Sequence, residues 1–211
     1  MSKLSSDRRS LRTKKLIKEA FSELLEEKSL NNISIIDLTA RADINRGTFY
    51  LHYKDKYDLL ERIENEIIEA LHEQTKNASY LDLLNTNFIN TPAPFMINIF
   101  EYFKENSTFI KTILGPKGDP LFHNKLKKLI ETNLFTKIIK SINQNSILIP
   151  EKYFLNYVIS AHIGVIQHWL ESGMKESPEE MALILSKMFY LGPFKVTGIN
   201  INSSKELNGK I

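Results

Sequence analysis

The chain has 211 residues, of which 42% are hydrophobic and 25% charged, with a formal net charge of +3 and no cysteine. This composition predicts a globular protein with a hydrophobic core, and the lack of cysteine excludes disulfides, thiolate nucleophiles and zinc fingers. The sequence has no apolar run long enough to cross a bilayer and no apolar segment of a secretory signal behind its basic N-terminus, so we expect a cytoplasmic protein with no membrane partner.

The N-terminal segment concentrates positive charge. Before residue 19 the only acid is Asp7, and the basic residues are Lys3, Arg8, Arg9, Arg12, Lys14, Lys15 and Lys18. Such a basic arm is a candidate contact for DNA phosphates. A solvated, disordered leader is an equally good interpretation of this charge run taken alone.

Helical periodicity starts with the apolar residues between Leu16 and Leu25, which recur at the spacing of one helix face. After a polar break, Ser34 stands three residues before Asp37. This spacing resembles a capping box and predicts a short second helix that runs to about Ala42.

A third helix is predicted from its capping residue Asn45 to about Tyr53, and Asp55 can cap a fourth. Capping residues, prolines and glycines predict five more helices, over about 95–105, 107–114, 119–142, 150–172 and 177–191. No convincing β-hairpin signal is present. We therefore expect an all-α fold of about nine helices.

The segment from Ser34 to Lys56 carries the clearest functional signal. Two short helices joined by a tight turn, after a longer supporting helix, follow the plan of a helix-turn-helix. When Phe49 is set towards the core at about 100° per residue, Tyr53 falls beside it. The residues that then point outward are Gly47, Thr48, Tyr50 and Leu51.

This outward face suits double-stranded DNA. The hydroxyls of Thr48 and Tyr50 can bond phosphate oxygens, and Leu51 suits a thymine methyl group. Lys56 lies at the start of the fourth helix, where backbone N–H groups attract an anion. The full set predicted to bind DNA is Arg46, Gly47, Thr48, Tyr50, Leu51, His52, Lys54 and Lys56.

The alternative is that Tyr50, His52 and Tyr53 only cover a small three-helix core. We prefer that interpretation for Phe49 and Tyr53. For Tyr50, Thr48 and Lys56 we prefer DNA contact, because the outward face lacks the acids of an ordinary solvated surface.

The stretch ISIIDLTARADINRGTFYLHYKDKYDLL closely resembles the signature of the tetracycline-repressor (TetR) family, and GTFYLHYKDK is its most specific part. The resemblance covers about Arg9 to Leu71. It implies that Thr48, Tyr50, His52 and Lys56 occupy DNA-contact positions. It also implies an all-helical homodimer that binds a palindromic operator and, in most members, represses transcription until a small effector releases the DNA.

One position departs from the family pattern. The turn between the two short helices usually carries glycine, and this chain has Asp43 there. Aspartate tolerates the left-handed conformation better than most residues, so we expect the turn to survive. Leu51 stands where the family varies freely, so it bears on the choice of operator.

The resemblance also implies a domain organisation. Residues 1–55 form the helix-turn-helix domain and 56–78 a connecting helix. Residues 79–193 form an effector-binding and dimerisation domain, and 194–211 a flexible tail.

The long helix after Pro150 is apolar around most of its circumference, more than a surface helix needs. One side can pack on its own domain, and the small residues Ala161 and Gly164 permit a second subunit to approach the other. A central helix in a monomeric core is the alternative. The residues predicted at the dimer interface are Tyr157, Ala161, Gly164, His168, Met181, Ile184, Leu185 and Met188.

The aromatic residues of the middle helices are either core or the lining of a pocket for a small apolar or aromatic effector. The tentative effector-binding residues are Phe100, Phe103, Phe109, Phe135, Tyr157 and His162. No metal site or cofactor is predicted, because His162 and His168 are six residues apart and do not share the i, i+4 face of a helical metal pair.

Two other classes of protein compete with this interpretation. An enzyme is disfavoured because the chain has no Gly-rich phosphate loop, nucleophile elbow or paired catalytic motif. A TetR-like co-regulator controlled by a protein partner stays open, since no obvious polar effector site is present.

Overall fold

The computed structural model describes residues 3–76, 86–115, 119–135 and 148–198. Within these ranges the chain forms nine α-helices and no β-strand, so the predicted all-α fold is confirmed. The helices are α1 Lys3–Glu27, α2 Ile35–Arg41, α3 Arg46–Tyr50, α4 Lys56–Lys76, α5 Pro94–Glu105, α6 Ser107–Leu114, α7 Pro120–Ile130, α8 Glu151–Glu171 and α9 Pro178–Lys195. Over the same ranges, no helix has the length and apolar character that a membrane span requires.

The helices belong to two compact units. The first unit comprises Met1–Glu73 and Asn106–Leu129, and the second comprises Gln74–Glu105 and Ile130–Ile211. Helix α6 belongs to the first unit because it packs on α1, where the Phe21 and Phe109 ring centroids lie 6.2 Å apart. The domain boundaries at residues 55 and 78 stay a prediction.

Local capping determines where the helices of the first unit begin. The Ser34 hydroxyl accepts from the backbone N–H of Asp37, whose carboxylate accepts from the N–H of Ser34, so the predicted capping box is confirmed. The side chain of Asn45 accepts from the N–H of Thr48 at 2.7 Å, as predicted for the start of α3.

The turn between α2 and α3 has the left-handed conformation expected at Asp43, with φ of 51°. Helix α3 ends at Tyr50, about three residues before the predicted end at Tyr53. The backbone N–H groups of His52 and Tyr53 both donate to the Phe49 carbonyl, at 2.9 and 3.0 Å, and this shared acceptor turns the chain towards α4.

The second unit is built around Trp169 on α8, which is 1% exposed. Its indole N–H donates to the Glu176 carbonyl at 3.1 Å, and the Phe100 ring meets it edge-on at 5.3 Å. The reciprocal cap between Ser177 and Glu180 begins α9.

Two predicted ends differ from the structure. The helix predicted over 119–142 becomes a π-helical turn at Glu131–Phe135, and 136–142 lie outside the described residues. A tail was predicted from residue 194, but the helix α9 continues to Lys195. Residues 199–211 also lie outside the described residues.

Candidate nucleic-acid interface

Helices α1 and α2 form a scaffold joined by ion pairs. The Arg41 guanidinium reaches back to α1, bonding the carboxylates of Glu23 at 3.0 Å and Glu27 at 2.9 Å. The Lys28 ammonium bonds Asp37 at 2.8 Å. That bond and the bonds from Ser34 hold the pKa of Asp37 well below its usual range. These contacts fix the position of α2, which precedes the candidate recognition helix.

The inner face of α3 packs as predicted. Phe49 is 0% exposed and Tyr53 is 3% exposed, with their rings 5.7 Å apart. Burial, with a smaller contribution from Glu66, raises the pKa of Tyr53 to about 12, so its phenol stays protonated at neutral pH. Phe49 therefore anchors α3, and Tyr53 anchors the turn that follows it, which leaves the other face of α3 for a ligand.

The outer face of α3 is apolar and aromatic as well as polar. Tyr50 is 50% exposed and Leu51 is 82% exposed, and Arg46 and Gly47 are also exposed. A single exposed leucine is common on protein surfaces, and a thymine methyl group would shield this one from water. The predicted outward orientation of Gly47, Tyr50 and Leu51 agrees with the structure, and their contact with DNA stays a prediction.

Thr48 is more constrained than the sequence suggested. Its hydroxyl donates to the Asn45 side chain at 3.0 Å and is half-buried. A phosphate oxygen needs a donor, so the Thr48 hydroxyl would have to rotate away from Asn45 to bond it.

His52 lies close to the basic end of α1. Burial lowers the pKa of the imidazole, and the charge of Lys14 lowers it further. The ring is therefore mostly neutral at pH 7, and one of its nitrogens can donate to DNA while the other accepts.

Lys56 has a structural role that the sequence did not reveal. Its ammonium donates to the carbonyls of Leu30, Asn31 and Ile33, at 2.9, 2.9 and 2.7 Å. These bonds use all three protons of the ammonium, so a phosphate contact would require the ammonium to leave them. The sequence pattern does not reveal this structural role of Lys56, because the three carbonyls lie more than 20 residues earlier in the chain.

The start of α4 is also less open to an anion than predicted. The Asp55 carboxylate accepts from the N–H groups of Tyr57 and Asp58, both at 2.8 Å. A carboxylate therefore already occupies the favourable position at the helix N-terminus. Lys54, whose side chain is exposed, is the better placed of the two lysines for a phosphate.

The basic N-terminal segment is helical from Lys3 onwards. Arg8, Arg9 and Arg12 are exposed, whereas Lys18 pairs with Glu66 on α4. The structure also exposes Ile36 on α2, which is 62% exposed and was absent from the predicted set. The sequence carries no clear signal for it, because adjacent apolar residues on a helix can both be buried, as Leu24 and Leu25 are here.

The residues predicted to bind an effector are divided between the two units, and that role stays a prediction. Phe109 lies in the first unit, and Phe100 and Phe103 are buried in the second with ring centroids 6.4 Å apart. Tyr157 is 59% exposed. His162 meets the ring of Phe189, while the side chain of Phe135 lies outside the description.

The predicted dimer residues fall into two groups. Tyr157, Ala161, Gly164, His168 and Met188 are exposed, and Ile184 is half-buried. By contrast, Met181 and Leu185 are each 4% exposed, because α9 turns them into the core of its own unit. The two buried side chains are thus not presented to a partner.

Two family models match the chain. The model described as bacterial regulatory proteins of the tetR family matches residues 17–63, which include α2, α3 and the start of α4. A second, described as a transcriptional regulator C-terminal region, matches residues 90–190. Together they cover more than half of the sequence.

Two curated proteins are similar over much of the chain. The HTH-type regulator YxbF of Bacillus subtilis (strain 168) is 23% identical over 180 residues, which are 82% of this chain and 45% of that protein. The dhaKLM operon transcriptional activator DhaS of Lactococcus lactis subsp. lactis (strain IL1403) is 28% identical over 137 residues, covering 64% of this chain and 67% of that protein. The chain therefore spans less than half the length of the Bacillus relative.

Solved structures share the fold. A TetR transcriptional regulator from Streptococcus agalactiae 2603V gives a TM-score of 0.60 at 24% identity, covering 89% of this chain and 98% of that one. The regulator FadR from Bacillus subtilis, solved in complex with stearoyl-CoA, gives 0.52 at 17% identity, covering 88% and 98%.

Proposed function

This chain belongs to the TetR family of transcriptional regulators, and on that basis we propose that it binds a palindromic operator as a homodimer and represses transcription until a small effector releases it. It is a DNA-binding regulator and not an enzyme. We place its action in the cytoplasm, where the operator DNA is.

The observation that carries the DNA-binding proposal is the division of α3 into two faces. Phe49 is fully buried, and Tyr50 and Leu51 lie exposed beside it. A helix anchored by its inner face, with a tyrosine, an arginine and a glycine outward, offers hydroxyl, guanidinium and backbone groups to phosphates and base edges. The exposed Arg8, Arg9 and Arg12 add positive charge to the same unit.

The homodimer is supported by the exposed band on α8. Tyr157, Ala161, Gly164 and His168 share one side of the helix, and the space where a Gly164 side chain would stand is open to 4 Å. Small residues flanked by a tyrosine allow another helix to approach closely. Two recognition helices in one dimer would read the two half-sites of a palindrome.

The effector is proposed to be a small apolar or aromatic compound held by the second unit. The support is the family itself and the fold shared with FadR, which holds stearoyl-CoA in its own structure. Displacement of a recovered operator by acyl-CoA esters and aromatic compounds, measured by fluorescence anisotropy, tests this part. Operator binding that resists every such compound would contradict it.

The description of the Lactococcus relative as an activator favours a second candidate function, activation at the same operator. A promoter fused to a reporter distinguishes the two functions. Deleting the regulator should raise reporter output for a repressor and lower it for an activator.

The DNA-binding proposal is tested by mixing the purified chain with genomic fragments of the source organism and sequencing those retained at two salt concentrations. We expect one palindromic site whose half-sites lie about one helical turn apart. The Tyr50→Ala protein should not retain it. Recovery of no preferred site by the unaltered chain would contradict the proposal.

A further inference from the structure

The first unit contains an open cavity of about 650 Å³, and none of the residues predicted to bind an effector lines it. Its walls come from the end of α1, the segment Ser29–Asn31, α4, α6 and α7. Leu60, Ile113 and Leu121 provide apolar surface. The volume lies within the range of about 300–1,000 Å³ that is typical of small-molecule sites.

A buried carboxylate stands in this wall. The Glu64 side chain is 2% exposed, and its Oε2 accepts from the Lys125 ammonium at 2.9 Å. Its other oxygen, Oε1, is buried and meets no hydrogen-bond donor among the described residues. The nearby Asp119 carboxyl can bond Glu64 only when one of the two carboxyls is protonated. Native proteins rarely leave such an atom unpaired, so this oxygen indicates a missing donor.

The charges that line the cavity favour a cation. Three acidic residues, Glu61, Glu64 and Asp119, line the cavity with one basic residue, Lys125, among the described lining residues. Burial raises the pKa of Glu64; Lys125 opposes this rise and Asp119 adds to it. A second positive charge near Glu64 would offset the cost of keeping this carboxylate ionised.

We propose that the cavity binds a protonated amine carried on a compact hydrocarbon or aromatic body. The ammonium donates to Oε1 of Glu64, and the body lies against Leu60 and Leu121. A carboxylate or phosphate ligand would meet three like charges. A neutral alcohol would supply a donor and leave the excess negative charge in place.

The position of the cavity gives its ligand a route to α4. Leu30 and Asn31 line the wall, and their carbonyls hold the Lys56 ammonium at the first residue of α4. An amine bound beside Leu30 and Asn31 therefore contacts the segment whose carbonyls hold Lys56, the residue that begins α4 shortly after α3. This regulatory extension, a change in operator affinity, rests on the proposed function, whereas the amine site itself does not.

The amine site is tested by calorimetric titration of the full chain with 4-phenylbutylamine. The control compounds are 4-phenylbutanol, a neutral analogue of similar shape, and 4-phenylbutyrate, an anionic one. We expect the amine to bind, the alcohol to bind about tenfold more weakly and the carboxylate not to bind. Absence of amine binding at millimolar concentration, or equal binding of the three compounds, would overturn the site.

Variants locate the binding. Glu64→Gln keeps the volume of the side chain and should weaken amine binding about tenfold. Leu121→Lys changes an exposed lining residue and places a competing ammonium in the cavity, so it should weaken binding too. Glu69→Gln, an exposed carboxylate of α4 outside the cavity, is the matched control and should bind as the parent does. Equal affinity in all four proteins would overturn the assignment to this cavity.

The regulatory extension is tested separately, by measuring the affinity for the operator with and without the amine. A change of about fivefold or more that Glu64→Gln abolishes supports it. Unchanged affinity in a protein that binds the amine would overturn the extension alone. If no operator exists, the calorimetric titration still decides whether the cavity binds amines.

Discussion

Phe49 and Tyr50 are adjacent in sequence and touch edge to face, with ring centroids 5.6 Å apart, yet one is 0% exposed and the other 50%. The rotation of about 100° between consecutive helical residues produces this contrast. The first ring belongs to the core and the second to the surface offered to DNA. Stability and operator binding can therefore be separated by substitutions one residue apart.

Tyr50→Ala should lower operator affinity at least about tenfold while changing the free energy of unfolding by less than about 1 kcal/mol, because half of the side chain is already in water. Phe49→Ala should cost about 3–5 kcal/mol, as for other buried phenylalanines. Anisotropy with a recovered operator and urea unfolding measure the two quantities.

The matched control is Tyr153→Ala, which removes a tyrosine of similar exposure, 62%, from α8. This variant should keep both affinity and stability. A large loss of stability in Tyr50→Ala would show that the ring supports the core instead of the DNA-facing surface.

The three carbonyls around Lys56 predict that Lys56→Met lowers the free energy of unfolding by about 1.5–3 kcal/mol, the range for hydrogen bonds to charged groups. The salt dependence of operator binding should stay unchanged, since this ammonium is already engaged. Lys54→Met should do the opposite, keeping stability and reducing the salt slope by about one. A reduced slope in Lys56→Met without loss of stability would assign the phosphate contact to Lys56.

The left-handed φ of Asp43 predicts opposite effects of two small substitutions. Asp43→Gly should be neutral or slightly stabilising, because glycine adopts this conformation without a steric penalty. Asp43→Ala should cost about 1–2 kcal/mol. Urea unfolding of both proteins checks the prediction, and equal stability of the two would indicate that this turn relaxes to another conformation.

Gly164→Leu should convert the proposed dimer to monomers without unfolding the chain. A side chain at this position meets nothing within 4 Å of its Cβ in the protomer, so the added bulk disturbs only a partner that approaches. Light scattering and thermal unfolding measure assembly and stability. Asn156→Leu, an exposed position at the edge of the same face, is the control and should leave the mass unchanged. A dimeric Gly164→Leu protein would place the interface elsewhere.

We expect His162 to contribute to the pH dependence of the free energy of unfolding. Burial lowers the pKa of its imidazole, although the contact of Nδ1 with the Val158 carbonyl at 2.7 Å opposes this. The unfolded chain therefore takes up this proton first as the pH falls below about 6.5, and stability is lost.

Urea unfolding between about pH 7 and pH 5 should show this loss in the parent and a flatter profile in His162→Gln. His52 titrates in the same window and is present in both proteins, so the difference between the profiles reports His162. Identical profiles would mean that His162 takes up its proton equally in both states.

The sequence predicted those features that nearby residues determine. Ser34 with Asp37, Asn45 with Thr48 and Ser177 with Glu180 satisfy each other within one turn, so their spacing alone identifies the helix starts. The orientation of α3 followed from the same local geometry once Phe49 was set inward.

Features that depend on distant partners were not predictable. The role of Lys56 is set by carbonyls before α2, and the burial of Met181 and Leu185 by the helices that α9 packs against. The place of Phe109 beside Phe21 joins segments 88 residues apart in numbering, which no periodicity in either helix reveals.

The pairing of Phe21 with Phe109 also has a consequence for how this protein is made. Because α6 and α7 complete the unit that begins at the N-terminus, α1 leaves the ribosome well before the helices that cover its apolar face. We therefore expect a nascent chain that still lacks α6 and α7 to be an incompletely covered intermediate, with apolar surface around Phe21 open to chaperones and to other nascent chains. Truncations designed to isolate a minimal DNA-binding fragment would recreate this incomplete intermediate.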